Sequence, residues 1–418
     1  MAAPLAGHSL AAAWPQPGRA SAQPPFAGRW QAYSGGMNFR TLARPVFLTL
    51  MLFFAQPLAF GGWLSFIPQV QAKLGLSKSE LALALLGMPI AVVSVLQLAG
   101  RLMSWLGPRR LLMIGFPLNC AAVLLPLFAV GQWGLFASLL LVGATLALTQ
   151  IGLNVYAGRL EKATGKVVMN TCHGFWALGL MAGSLAAGMA RGWSPVAVVG
   201  VMALVAAIAG VALARAVPHF GAPPGQDAPP RRRLRQLPRR LVLISAVVFF
   251  VAMTEGAMSD WAAVYLAERL ESVSGQAGFA VSLYAGFLAL GRLLGDPLRR
   301  RIGPYRLLVL APGLALAGLT LLVLPLPLAI AVPGFALVGL GVSVGFPMGV
   351  SAVSALDDTY ESSNVAIMSA VAVAAFLVGP PMIGFIAEAT SLRIGFATLV
   401  PGMIFGIYGA KFFFGRNT

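Results

Sequence analysis

Apolar residues run along this chain in long blocks, separated by short clusters of Gly, Pro and charged residues. A helix needs about 20 apolar residues to cross the roughly 30 Å hydrocarbon layer of a bilayer, so each block reads as one crossing. The breaks predict six helices near 45–68, 81–102, 110–130, 133–156, 168–190 and 195–215. Six more follow near 241–266, 276–297, 305–325, 328–353, 364–387 and 391–414. The expected fold is an all-α membrane protein of 12 transmembrane helices in two six-helix bundles, 45–215 and 241–414. A tail (1–44), a Pro-rich basic linker (216–240) and a short end (415–418) flank them.

Composition excludes the soluble classes. Of 418 residues, 58% are hydrophobic and 10% charged, unlike any ordinary soluble globular domain. The net charge of +17 does not mark a nucleic-acid binder, because the cations lie in short loops between apolar runs. Their distribution orients the chain instead. Of 29 Lys and Arg, only Lys73, Lys78, Arg191, Arg269 and Arg393 fall on one side. The positive-inside rule then puts the other side, with both termini, in the cytoplasm. The first 36 residues lack acids and are rich in Ala, Pro and Gly. They read as a disordered cytoplasmic tail, or as sequence upstream of a true start at Met37. Cys120 and Cys172 fall inside predicted spans without metal-ligand spacing, so no metal and no cofactor is expected. No phosphate-binding loop or nucleophile triad is present, which argues against an enzyme.

The two halves echo each other. "GWLSFIP" around Trp63 answers "DWAAVYL" around Trp261, and "GRLMSWLGPRRLL" from Gly100 answers "GRLLGDPLRRRIGPYRLL" from Gly291. Two parallel repeats with a site at their interface is a layout of secondary transporters.

On these features the chain resembles the major facilitator superfamily over about 40–415. The family's loop after the second helix of each half has the form G-x-x-x-D-R-x-G-R-R. This chain keeps Gly100, Gly107, Arg109 and Arg110 but has Ser104 and Trp105 at the Asp and Arg places. In the second half Gly303 and Arg306 remain, with Arg300 at the Asp place and Asp296 one turn earlier. The stretches "LNVYAGRLE", "MNTCHGFWALG", "EGAMSDWAAVYL" and "GRLLGD" are similar to a subgroup of bacterial inner-membrane permeases that includes YbjJ. The resemblance implies a multi-pass inner-membrane transporter of small solutes.

Ionisable groups inside a bilayer cost roughly 3 kcal/mol or more, so they mark function by default. Glu255, deep in the seventh span, is the candidate carrier of a coupling proton, with His173 as a possible relay. Asp260 and Trp261, nearer the outer mouth, are candidates for solute contact or outer closure. Asn154, Asn170, Gln56 and Trp63 complete an expected polar lining, with Gln56 and Trp63 seven residues apart on one face. The structural alternative for each is interhelical hydrogen bonding, and for Trp63 an interfacial aromatic belt. By the family's layout, Arg109 and Arg110 face Asp357, Asp358 and Glu361 across the inner interface, and Glu161 faces Arg299–Arg301, as gating pairs. Arg292 and Asp296, four apart, are expected to neutralise each other.

The sequence therefore predicts a monomeric, proton-coupled secondary transporter. Its partners are the bilayer, the proton and a small polar, sugar-like solute. Drug efflux and a non-transporting receptor or assembly factor on the same fold are the alternatives.

Overall fold

The computed structural model describes residues 39–190, 192–220, 237–271 and 275–414, with side chains from Arg44 onward except at Asp358 and Ser362. The predicted tail to residue 38, most of the linker and Arg191 lie outside the described residues.

Twelve helices cross among the described residues. α1 comprises Phe39–Ala55 and Leu58–Leu74, interrupted at Pro57, which has no amide to donate. α2 runs through Lys78–Leu85 and Gly87–Leu96 and ends within Ala99–Ala122 at Gly107. The rest of that stretch and the turn Leu125–Phe128 form α3. Then come α4 (Gly131–Thr164), α5 (Met169–Met189) and α6 (Pro195–Ala216). The second half contains α7 (Arg239–Leu270), α8 (Gly278–Ile302) and α9 (Pro304–Val323). It closes with α10 (Leu328–Ala331, Pro333–Val342 and Gly345–Ser354), α11 (Glu361–Ala389) and α12 (Leu392–Ala397 and Val400–Gly409). Several helices outrun their predicted ends, α1, α4 and α2 most of all. Hydropathy marks only the apolar stretch, whereas the hydrogen-bonded helix continues into the polar flanks.

Eleven helical stretches are long and apolar enough to cross a membrane. α5 is the remaining helix: its 21 residues suffice in length, but Asn170, Thr171, His173 and Trp176 make it more polar than the rest. That polarity, on a helix packed between others, already points to the interior.

The repeat is visible in the backbone. Gly107 (φ 67°, ψ 164°) and Gly303 (φ 85°, ψ 154°) make the sharp α2–α3 and α8–α9 corners, each followed by a Pro at the start of the next helix. Positive φ is the reason both are Gly. At the other face, Lys73 Nζ at the end of α1 donates to the Leu127 carbonyl (2.9 Å), and Arg269 at the end of α7 donates to the Leu326 carbonyl (2.6 Å). Each cation satisfies an orphan carbonyl, in the last turn of α3 or just beyond the end of α9.

The halves meet along α5 with α8, α1 with α7 and α8, and α2 with α11. Near the face that is poor in Lys and Arg the contact is tight. Ser282 Oγ donates to Ser184 Oγ (3.0 Å), linking α8 to α5, and Gly278 lies so close to Ser65 and Ser184 that a Cβ would collide with them. α11 packs chiefly on Lys78–Leu85 of α2 and little on Gly87–Leu96. The interface between the halves is therefore closed at that face and parts along α2 and α11 toward the basic face.

Candidate functional site

α7 is helical throughout Arg239–Leu270, so Glu255 sits at its middle. Its carboxylate Oε1 accepts from Arg292 Nη2 of α8 at 2.8 Å. The pair is only partly shielded: the Arg292 side chain keeps 10% of its exposure and that of Glu255 18%. The predicted Arg292–Asp296 pair is thereby corrected. Asp296 is exposed on α8, while Arg292 turns inward to the deeper acid. In the less polar interior the attraction between unlike charges is stronger, which favours the buried partner.

Arg292 also ties the two bundles together. Its Nη1 reaches the His173 carbonyl (3.5 Å), and Asn170 Nδ2 donates to the Arg292 carbonyl (2.9 Å). Both partners lie in the first turns of α5, and the His173 ring packs edge-on to Phe53 of α1, 5.5 Å between centroids. Asn170, His173 and Trp176 share one face of α5. At one junction the structure thus brings together Glu255, Arg292, Asn170 and His173.

A second polar cluster lies beside it in the first bundle. The Gln56 side chain, buried at the break in α1, donates to Asn119 Oδ1 (3.4 Å) and accepts from Gln150 Nε2 (3.3 Å) and Trp176 Nε1. Asn119 Nδ2 continues to Thr145 Oγ1 (3.3 Å). Gln150 and Asn154, one turn apart on α4, are both partly exposed. Of this network only Gln56 stands out in the sequence reading, along with Asn154 one turn beyond Gln150 on α4. Gln150 was legible as an i, i+4 partner of Asn154, and Trp176 as an i, i+3 partner of His173.

Other predicted residues fall elsewhere. Trp63 (1% exposed) and Trp261 (0%) are enclosed among apolar side chains, neither lining water nor forming a belt. The helix breaks at Pro57, between Gln56 and Trp63. Asp260 is buried and has no protein partner among the described residues. It lies five residues from Glu255 on an unbroken helix, hence about 140° around it. Tyr284, two turns before Arg292 on the same face of α8, is buried with its hydroxyl unpaired.

The expected gating pairs are rearranged. Arg109 donates to the Ala214 carbonyl (3.1 Å) and the Arg215 carbonyl, closing the end of α6 within its own bundle. Glu161 accepts from the amides of Val168 (2.6 Å) and Met169 (2.7 Å), capping the start of α5 instead of facing Arg299–Arg301. Both choices answer orphan backbone groups at helix ends. Asp357 accepts from the Thr359 amide (3.0 Å), Arg110, Arg300 and Glu361 are exposed, and the Asp358 side chain lies outside the described set.

A charged contact between the halves forms at the opposite face. Lys78 Nζ pairs with Glu268 of α7 (3.0 Å), and the Lys78 amide donates to Glu388 of α11 (2.7 Å). A carboxylate of the second bundle therefore docks on the N-terminus of α2, where free amides and the helix dipole favour an anion.

The sequence profile of the Major Facilitator Superfamily matches residues 52–358. An "uncharacterized MFS-type transporter" of Yersinia pestis is 28% identical over 359 residues, 83% of this chain and 90% of that protein. Among solved structures, a variant of the nucleoside transporter NupG superposes with a TM-score of 0.72 at 12% identity, covering 89% of this chain and 100% of NupG. A variant of the E. coli fucose:proton symporter FucP gives 0.59 at 16% identity, covering 89% and 99%.

Proposed function

Because the chain belongs to the Major Facilitator Superfamily, we propose that this membrane transporter moves a small polar solute by alternating access, coupled to protons through Glu255. The observation that carries the reading is the Glu255–Arg292 pair, placed at mid-helix and joined to α5 of the other bundle. An acid paired at the junction of two moving bodies is suited to coupling, since gaining a proton releases its cation and loosens the junction. Gln150, Asn154, Trp176 and Asn170 supply the neutral donors and acceptors that a polyhydroxylated solute needs. FucP is a fucose:proton symporter and NupG a nucleoside transporter by their names, which agrees with a small polar cargo. The finer placement in the YbjJ-like subgroup rests on the four quoted stretches.

With the Lys- and Arg-rich face read as cytoplasmic, the looser packing of α11 on α2 toward that face supports reading this as an inward-open form of an inner-membrane protein. A thermal-shift ligand screen on the purified protein, followed by pH-dependent uptake in proteoliposomes, tests the reading. Uptake that follows an imposed proton gradient supports it; uptake indifferent to the gradient removes the coupling, and a receptor or assembly factor would show no uptake.

A further inference from the structure

We propose that the solute carries a carboxylate, which replaces Glu255 on Arg292 when Glu255 takes up its proton. This rests on the reading of Glu255 as the proton carrier and adds the chemical class of the cargo. Arg292 is the starting point. Its guanidinium holds its charge at any working pH, so deep in a bundle it needs an anion in every state of the cycle. Among the described residues, the other Lys and Arg lie near helix ends or in loops, so Arg292 is the one cation in the middle of a span. Glu255 is its ion-pair partner in this state.

Along α8 the next acid, Asp296 one turn on, is exposed on the helix surface, and the groups that face the pair from inside leave no substitute. From α8 comes Tyr284, neutral and buried, and from α5 His173, whose backbone carbonyl is what Arg292 contacts. α10 carries no ionisable side chain. The acids of α11, Glu361 and Glu388, lie at its two ends, as do Arg393 and Lys411 of the α12 segment, and Tyr408 points outward at 70% exposure. On α7 itself, Asp260 lies on another side of the helix. Once Glu255 is protonated, a neutral solute leaves Arg292 unpaired and a cationic one adds repulsion, whereas a carboxylate restores the pair.

Geometry permits the exchange. Glu255 uses one oxygen on Nη2, and the contact of Nη1 with the His173 carbonyl is long, at 3.5 Å, so a planar carboxylate can engage the guanidinium by two parallel bonds. Both side chains retain some exposure, so they are reachable from the open side. Asn154, partly exposed and without a protein partner among the described residues, and Gln150 stand ready for the rest of the solute. Charge balances: a pair of zero net charge before, and a neutral acid, a guanidinium and a carboxylate after, with the proton drawn from water.

The test uses acetate as the probe, with sodium chloride as the ionic control and glycerol as the neutral one, on purified full-length protein in weak buffer. Titration of wild type against Glu255→Gln from about pH 3 to about pH 9 isolates the protons bound by Glu255. Acetate is expected to shift that titration upward in pH, and its own affinity to rise about tenfold per unit fall in pH while Glu255 is ionised. Glu255→Gln should bind acetate without pH dependence, and Arg292→Gln should not bind it. If the Glu255 titration is present but acetate leaves it unmoved, this inference is overturned and the coupling reading stands. If wild type and Glu255→Gln titrate alike, the coupling reading fails and takes the inference with it. Should Glu255→Gln not fold, wild type alone decides: acetate at fixed pH must draw in protons that chloride and glycerol do not.

Discussion

Substituting Glu388 by Gln should open the face that the Lys78 clamp closes. In the structure the Glu388 carboxylate accepts from the Lys78 amide at 2.7 Å, while the Lys78 ammonium pairs with Glu268 at 3.0 Å. Glutamine preserves the shape and a carbonyl acceptor but removes the charge that favours a helix N-terminus, an effect of about 0.3–1 kcal/mol at an exposed site. The neighbouring ion pair is solvent-exposed on the Glu268 side, so it contributes about 0.2–1 kcal/mol and weakens with salt. Glu388→Gln alone should thus raise the population open at this face by about two- to fivefold. Adding Lys78→Ala should bring the change to about tenfold, since about 1.4 kcal/mol is a factor of ten. Spin labels at Ser79 and Thr390 would read the α2–α11 separation as a distance distribution, with the longer component growing in that order. An unchanged distribution in both variants, or a shift to shorter distances, would refute the idea that this clamp weights the equilibrium.

Three further outcomes follow from the packing. Arg109→Gln should lower the melting temperature, because two carbonyls at the end of α6 lose their donor, and a double-mutant cycle with Glu361→Gln should give no coupling energy beyond about 0.3 kcal/mol; a larger coupling would restore the gating pair. Gly183→Ala places a Cβ against the Leu58 carbonyl of α1, and overpacking of that kind should cost about 1–3 kcal/mol, read as a fall in melting temperature. Gln56→Leu strands Gln150, Trp176 and Asn119, at about 1–3 kcal/mol for a buried group left unpaired, whereas Asn154→Leu removes no protein bond and should spare stability while lowering solute affinity.

The helices and their pairing into repeats were legible because a bilayer imposes a length and a polarity that any sequence must display. The same constraint made Glu255 visible. Its partner was not, because spacing along one helix favoured Asp296, while the true contact to Arg292 crosses between α7 and α8 and depends on how the helices rotate. The loop charges misled for a related reason. Arg109 and Glu161 look like free surface charges in the sequence, yet each lies beside a helix end whose orphan backbone groups take it up. Lys78 counts in the sequence only toward orientation, and Glu268 and Glu388 not at all, all three being ordinary charges at helix ends until the fold brings three helices to one point. The buried state of Trp63 and Trp261 likewise has no signature in their neighbours in sequence.

The account turns on Glu255. In proteoliposomes loaded with a solute that a thermal-shift screen supplies, Glu255→Gln should abolish accumulation driven by a proton gradient while leaving solute exchange across the membrane intact. Accumulation retained in that variant would contradict the assignment of the coupling proton to Glu255.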